Sequence, residues 1–174
     1  MIDQVINEGR AMLLDRIYID DIVILEKKVW NKFGDLYDKV FWNEENFLLP
    51  LPSKWDLSTL WVINNSVIGF SIAYKFKKSW GHISRMAVDP DYQGKNIGYK
   101  LFEHQINIMM QKCSKITFDV RSSNIPLIKI SLKLGFKQLK GADLVDYTIQ
   151  RDRTKVDYLD NNPYYYAYQI LVND

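Results

Sequence analysis

A single α/β (α+β) domain with a mixed, mostly antiparallel central sheet flanked by helices is the fold that this sequence predicts, on three observations. Two runs rich in β-branched and aromatic residues, Leu60 to Ile63 and Val67 to Phe76, are separated by Asn64, Asn65 and Ser66, the composition of a hairpin turn. A third run alternates Ile83, Arg85 and Ala87 against His82, Ser84, Met86 and Val88, which reads as a strand at least partly buried. Helical spacing at Ile97, Leu101 and Phe102 follows, then a further alternating run and a further helical stripe. Three consecutive antiparallel strands followed by helix, strand and helix make a sheet of mixed direction.

In chain order, Ala11 to Tyr18 is a strand candidate leading to Asp20, which is placed to cap a helix. Ile22, Leu25 and Val29 recur at helical spacing until Gly34. A second helix is expected from Asp35 through Leu36, Val40, Phe41 and Phe47, closed by Pro50 and Pro52. After the hairpin, the third strand begins at Gly81 and is stopped by Asp89, Pro90 and Asp91. Tyr92 to Gly98 then forms a loop with two glycines and a lysine, and it opens the helix whose stripe continues through Phe102, Ile106, Met109 and Met110. Lys115 to Arg121 alternates Ile116, Phe118 and Val120 with polar neighbours as a strand does, and Ser122, Ser123 and Asn124 offer caps for a helix with Leu127, Ile130 and Leu134 buried. Gly135 is placed to end that helix. Strand material is expected at Tyr147 to Ile149 and at Tyr164 to Val172. Residues 150–163 form a long connection between them that suits either a specificity loop or a surface excursion. Tyr164, Tyr165 and Tyr166 must point to alternate faces if they lie on a strand.

At 174 residues and 47% hydrophobic, the chain has enough core to fold as one domain over residues 1–174. Twenty-three basic against twenty-one acidic residues give a net charge of +2, which argues against nucleic acid or an anionic membrane as partner. Lys75, Lys77 and Lys78 form the one short basic run and read as a solvated hairpin end. Cys113 is the only cysteine, so an internal disulfide is excluded and a reducing, cytoplasmic setting is expected; its place in a helical stripe points to packing. No apolar run reaches the length of a membrane span, the start lacks the regions of a signal peptide, and no metal site is expected.

A strand that ends in a glycine-containing loop opening a helix collects backbone N–H groups and the positive end of the helix dipole at one point, which suits a phosphate. The P-loop pattern is absent, because Gly94 and Gly98 are one residue too close and Tyr99 follows, and the dinucleotide pattern G-x-G-x-x-G is absent too. What remains, VDPDYQGKNIG after a strand, resembles the acyl-CoA loop of the GNAT (Gcn5-related N-acetyltransferase) superfamily, Q/R-x-x-G-x-G/A, falling here on Gln93, Gly94, Lys95, Asn96, Ile97 and Gly98. Asn96 stands at the middle glycine and is a residue that enters left-handed backbone at low cost. The superfamily's N-x-x-A-x-x-x-Y-x-K-x-G-F is similar to the run from Asn124, with Asn124, Lys133, Gly135 and Phe136 matching, Leu127 in place of the alanine and Ser131 in place of the tyrosine. The resemblance covers Gly81 to Phe136 closely.

It implies acetyl-CoA as cofactor, a central strand that splays from the strand at Ile116, and a pantetheine arm slotted into the gap beside Met86, Ala87 and Val88. Those three residues, Gln93 to Gly98 and Asn124 become the cofactor-binding candidates. The helices before the sheet would wall the acceptor site, so Trp42, Glu44 and Glu45 face either substrate or solvent. Direct acyl transfer needs a neutral amine, a stabilised thioester oxygen and a route for the departing thiolate. Backbone N–H around Met86 to Val88 serves the second need in the superfamily. Many members place a glutamate base at the position held here by Ser84; His82, read as lying on the same face, has an ordinary pKa suited to a base, and a histidine bonded within the sheet is the competing reading. Ser131 stands where the superfamily's tyrosine protonates the thiolate, and a serine is too weak an acid to do so. His104 reads as surface. The function implied is acetyl transfer to a primary amine of a small molecule or amino sugar. A peptide α-amine is the alternative acceptor, a non-catalytic acyl-CoA-binding module the alternative from another class, and a homodimer is left open.

Overall fold

The computed structural model describes residues 9–34, 37, 40–151 and 165–172. Its sheet has seven strands, β1 (Arg10–Leu13), β2 (Thr59–Ile63), β3 (Ser66–Lys77), β4 (Trp80–Val88), β5 (Lys115–Arg121), β6 (Lys137–Gln138) and β7 (Tyr165–Leu171). Their order is β1-β2-β3-β4-β5-β7-β6, antiparallel throughout except for β4 against β5. The helices are α1 (Ile19–Phe33), α2 (Glu44–Leu48), α3 (Lys54–Leu57), α4 (Ile97–Met110), α5 (Ile125–Lys133) and α6 (Gly141–Gln150).

The hairpin of β2 and β3 turns on Asn64 and Asn65, both in the left-handed region at φ 48° and 63°, the two-residue turn whose twist matches its strands. On one face of the sheet, Ile22, Leu25 and Val29 of α1 pack against Leu60, Phe70, Ile72 and Ala87. The opposite face is covered by α4 and α5, with Phe102, Ile106 and Met109 against Ile83, Ile116 and Phe118. Gln105 is fully buried between α4 and β3 and bonds the Ser71 hydroxyl and the carbonyls of Leu57 and Ser71. Cys113 is a buried packing residue at the end of α4, and burial pushes its thiol pKa up. A Cβ at Gly81 would meet Met109 Cε at 2.5 Å and Cys113 Sγ at 3.0 Å, so that glycine lets α4 lie close on β4.

Four expectations are corrected. Asp20 lies inside the first turn of α1, whose N-cap is Tyr18, while Asp15 caps the short 3-10 turn before it. The second helix does not run through Val40 and Phe41: Asn43 caps α2 through a reciprocal bond with Asn46, a polar start that outweighs the apolar spacing upstream. Residues 35, 36, 38 and 39 lie outside the described set. Tyr147 to Ile149 belongs to α6, where Leu144, Tyr147 and Thr148 form a helical stripe against Trp80 and Ala167; the sheet position beside β7 is taken by β6. The fourth correction is in β4 and sets the geometry of the site. The connection at 150–163 lies outside the described residues beyond Arg151, as does Tyr164. Tyr165 and Tyr166 do face opposite sides, one packed with α6 and the other with the α4–α5 core.

Candidate functional site

Strand β4 carries a bulge. Ile72 pairs with Arg85 and Ala73 with Ile83, so Ser84 is the extra residue and alternation is reset across it. Gly81, Ile83, Met86 and Val88 therefore share the α4 face, whereas His82, Arg85 and Ala87 share the α1 face, in place of the uninterrupted alternation expected from sequence. Ser84 Oγ donates to Ile72 O at 3.3 Å, across to β3.

β4 and β5 pair only from Trp80 opposite Lys115 to Ile83 opposite Phe118, and beyond that point they part. Asp89 N–H bonds Ile68 O at 2.8 Å, so by strand alternation Ala87 also points at β3 while the N–H groups of Met86 and Val88 point into the gap. On that side Val88 O accepts from Gln93 Nε2 at 3.1 Å. The gap opens into a cleft of about 660 Å³, walled by Val29 and Phe33 of α1, Met86 to Val88, the loop at Gln93 to Gly98, and Asn124, Leu127 and Ile130 of α5.

The loop has the backbone that an anion site needs. Gly94 and Asn96 both lie in the left-handed region, at φ 77° and 63°, so the asparagine adopts the conformation expected of it. The first bond at the head of α4 runs from Lys100 N to Asn96 O at 3.1 Å, which leaves the N–H groups of Ile97, Gly98 and Tyr99 without helical partners, all at the cleft. Asn124 caps α5 by accepting from Leu127 N at 3.2 Å and borders the same cleft. Lys95 Nζ lies 5.1 Å from the Tyr92 ring centroid.

Behind the loop, Lys28 of α1 bonds Asp89 at 2.8 Å and Asp91 at 2.7 Å. Those bonds, Asp89 first, raise the lysine pKa, and the Lys28 bond holds the Asp91 carboxyl below its ordinary range. A depressed acid pKa means that the clasp is complete above the ordinary carboxylate range and is lost as pH falls through the lowered value. Lys28→Met is expected to weaken CoA binding about threefold to tenfold by loosening the loop, with a small change in melting temperature because the pair is exposed. Calorimetric titration with CoA checks this; unchanged affinity would make the clasp a surface ion pair only.

Two of the catalytic candidates lie away from the cleft. His82 is 2% exposed, on the α1 face. Arg151 donates to its Nε2 at 2.9 Å, so Nδ1 carries the proton and donates to Thr117 Oγ1 at 3.1 Å. The bulge, invisible in a two-residue pattern, moved it off the face of Met86. Ser131 is fully buried and its Oγ donates to Ile128 O at 2.8 Å, inside its own helix. Ser131→Ala is expected to change kcat by less than about tenfold, the scale of one modest hydrogen bond; a thousandfold loss with CoA binding intact would give the hydroxyl a chemical role. Glu44 and Glu45 are exposed on α2, and Trp42 packs on Phe47, with ring centroids 5.4 Å apart. His104 is half-buried on α4.

Sequence reasoning missed a buried ion pair. Arg85 of β4 bonds Glu26 of α1, with side chains 2% and 0% exposed. Tyr37 Oη donates to Glu26 at 2.8 Å, and the guanidinium lies 4.3 Å from the Tyr37 ring centroid and 5.3 Å from that of Trp42. A charged residue at the middle of an otherwise apolar helical stripe was its one trace in the sequence.

At the fork of β4 and β5 a second, small cavity of about 70 Å³ is lined by Tyr37, Ser84, Arg85, Met86, Asp119 and Arg121, among others. No cluster of metal-ligating side chains occurs among the described residues, and no described helix is long and apolar enough to cross a membrane.

Comparison with known proteins agrees with this geometry. Solved structures with the same fold include the ribosomal-protein-S18-alanine N-acetyltransferase of Escherichia coli, at TM-score 0.70 and 18% identity over 95% of both chains. Another is yncA of Salmonella typhimurium, a putative acetyltransferase with its cofactor acetyl-CoA, at TM-score 0.68 and 14% identity over 97% of this chain and 96% of that one. A third is Arabidopsis thaliana Naa50 in complex with the bisubstrate analogue CoA-Ac-MVNAL, at TM-score 0.65 and 16% identity over 94% of this chain and 98% of that one. A search of curated proteins finds no match. The model of the acetyltransferase (GNAT) family matches residues 16–136, taking in the α1 wall, the parted strands and the loop. The chain therefore belongs to the acetyltransferase (GNAT) family and is an N-acetyltransferase by that membership.

Proposed function

We propose that the protein transfers an acetyl group from acetyl-CoA to a primary amine of a small molecule or amino sugar. One observation carries this reading: β4 and β5 part beyond Ile83 and Phe118, and the gap leads to a loop whose leftover N–H groups head α4. The residues present fit such a donor. Ile97, Gly98 and Tyr99 N–H would hold the pyrophosphate, Gln93 to Asn96 would shape the turn around it, and Met86 and Val88 N–H would bond the arm in the gap, with Ala87 between them. Asn124 would border the arm from α5. When bound, acetyl-CoA supplies an activated acyl carbon. The chain's part is to orient it and to offer an N–H donor to the carbonyl oxygen as charge builds there.

The acceptor side is narrow. The small cavity at the fork, about 70 Å³, has the size of an amino group with the carbon that bears it. A peptide α-amine stands as the second reading, because solved structures of the same fold include an enzyme named for a ribosomal-protein alanine and one bound to a peptide bisubstrate analogue. With its one thiol free, we place the protein in a reducing cytoplasm.

Thiol release from acetyl-CoA, screened against alkyl diamines, amino sugars and short peptides, tests the proposal. Release with a diamine or amino sugar is the expected result; release with peptides alone would move the acceptor to the second reading. A CoA-dependent rise in melting temperature without release for any amine would leave an acyl-CoA-binding module.

A further inference from the structure

We infer that the buried pair of Glu26 and Arg85 positions the wall on which the acceptor amine is received, and so sets affinity for the amine rather than the stability of the fold; this rests on the acetyl-transfer reading above. Tyr37 and residues 40–43, on the connection from α1 to α2, lie in no helix or strand. Backbone of that kind stays where its polar groups and side chains find partners. Here the pair itself supplies them. Tyr37 Oη donates to Glu26 Oε2 at 2.8 Å, and Trp42 N–H makes its long contact with Glu26 Oε1. Arg85 Nη2 donates to Val40 O at 3.0 Å, and its guanidinium lies over the rings of Tyr37 and Trp42. Two side chains thus hold the segment at Tyr37, Val40 and Trp42.

The held segment borders the site. Tyr37 lines both the large cleft and the small cavity at the fork, so it stands where an acyl group in the gap would meet an amine. Arg85 lines the small cavity too and directly precedes Met86, whose N–H faces the gap. The bulge at Ser84 is what turns Arg85 to the α1 face, within reach of Glu26. One side chain therefore spans from the strand beside the acyl group to the wall opposite, and it fixes the distance between them.

Stability does not account for the pair. Two apolar residues of similar volume are often as stable in such a place, because they carry no desolvation penalty. What they lack is direction: a planar guanidinium donates along fixed lines, and a carboxylate accepts at about four sites. Tyr37 N–H bonds Gly34 O at 2.9 Å, a local turn that does not tie the segment to β4. A reacting group misplaced by about 1 Å costs on the order of 10²-fold in rate, so directed bonds matter at this wall.

Glu26→Leu with Arg85→Met roughly keeps the volume and removes the directed bonds. Assayed well below its melting temperature with the amine giving fastest thiol release, its KM for the amine is expected to rise at least about tenfold. Its KM for acetyl-CoA should stay within about threefold, and CoA should raise its melting temperature as much as in wild type. Hydrogen exchange at the Trp42 N–H should quicken, a readout that needs no turnover. Tyr37→Phe keeps the ring and both charges and loses the hydroxyl bond to Glu26; it should raise the amine KM at least about threefold. A rise below about tenfold in the double variant overturns the inference. So does an equal rise in KM for acetyl-CoA, since the pair would then only pack the core. Should the double variant fail to fold, a rise below about threefold in Tyr37→Phe overturns it instead. Wild-type protein that binds CoA yet releases no thiol with any amine overturns the acetyl-transfer reading itself, and the inference with it.

Discussion

Gly98→Asp is expected to abolish stabilisation of the protein by CoA while leaving it folded. A Cβ at Gly98 would sit 3.7 Å from Val88 Cγ2 and 3.8 Å from Met86 Cε, ordinary contact distances, so the protein itself has room for a side chain. A carboxylate in the first turn of α4 is also favoured by the helix dipole. What excludes it is the ligand: bulk and negative charge would stand where a pyrophosphate must approach the N–H groups. CoA at about 100 times its Kd stabilises the native state by roughly 2.7 kcal/mol. For a domain of this size that is roughly 5 to 10 °C in melting temperature. Wild type should show this rise in a thermal scan, and Gly98→Asp should show none at the same CoA concentration. A preserved shift in the variant would move the phosphate site elsewhere.

The largest loss of stability is expected from Arg85→Met. Glu26 is fully buried, and removing its cation leaves a charge in the core that, among the described residues, the Tyr37 hydroxyl and a long contact from Trp42 N–H at 3.4 Å satisfy. Breaking a buried pair by deleting one partner costs about 3 to 5 kcal/mol, which at this size lowers the melting temperature by roughly 6 to 20 °C. Replacing both partners, Glu26→Leu with Arg85→Met, should recover much of that loss, because an apolar pair carries no desolvation penalty. Arg85 lies on the face of β4 opposite Met86 and Val88, so CoA affinity should survive in whichever variant folds. A single variant within about 2 °C of wild type would show that Glu26 is neutralised another way.

Much of the fold was legible because its signals are local. The hairpin at Asn64 and Asn65, the loop with Gly94 and Asn96, and the cap at Asn124 each follow from conformations that few residues adopt cheaply, and all three stand in the structure. The helix at Gly141–Gln150 was misread because Tyr147 to Ile149 has β-type composition; Leu144, Tyr147 and Thr148 at helical spacing bury one side against Trp80, and that contact is tertiary.

By itself the sequence determined the family, the mixed sheet and the place of the glycine loop that opens α4, since each rests on short runs whose spacing is fixed by backbone geometry. Tertiary structure alone decided which side chains meet at the chemistry. One extra residue at Ser84 resets the alternation of β4, which turns His82 into the α1 layer and puts Arg85 against Glu26, fifty-nine positions away. The same fork opens the small cavity that Tyr37 and Arg85 line together. A bulge exists only by reference to the strand it pairs with, so no period read along one strand can reveal it.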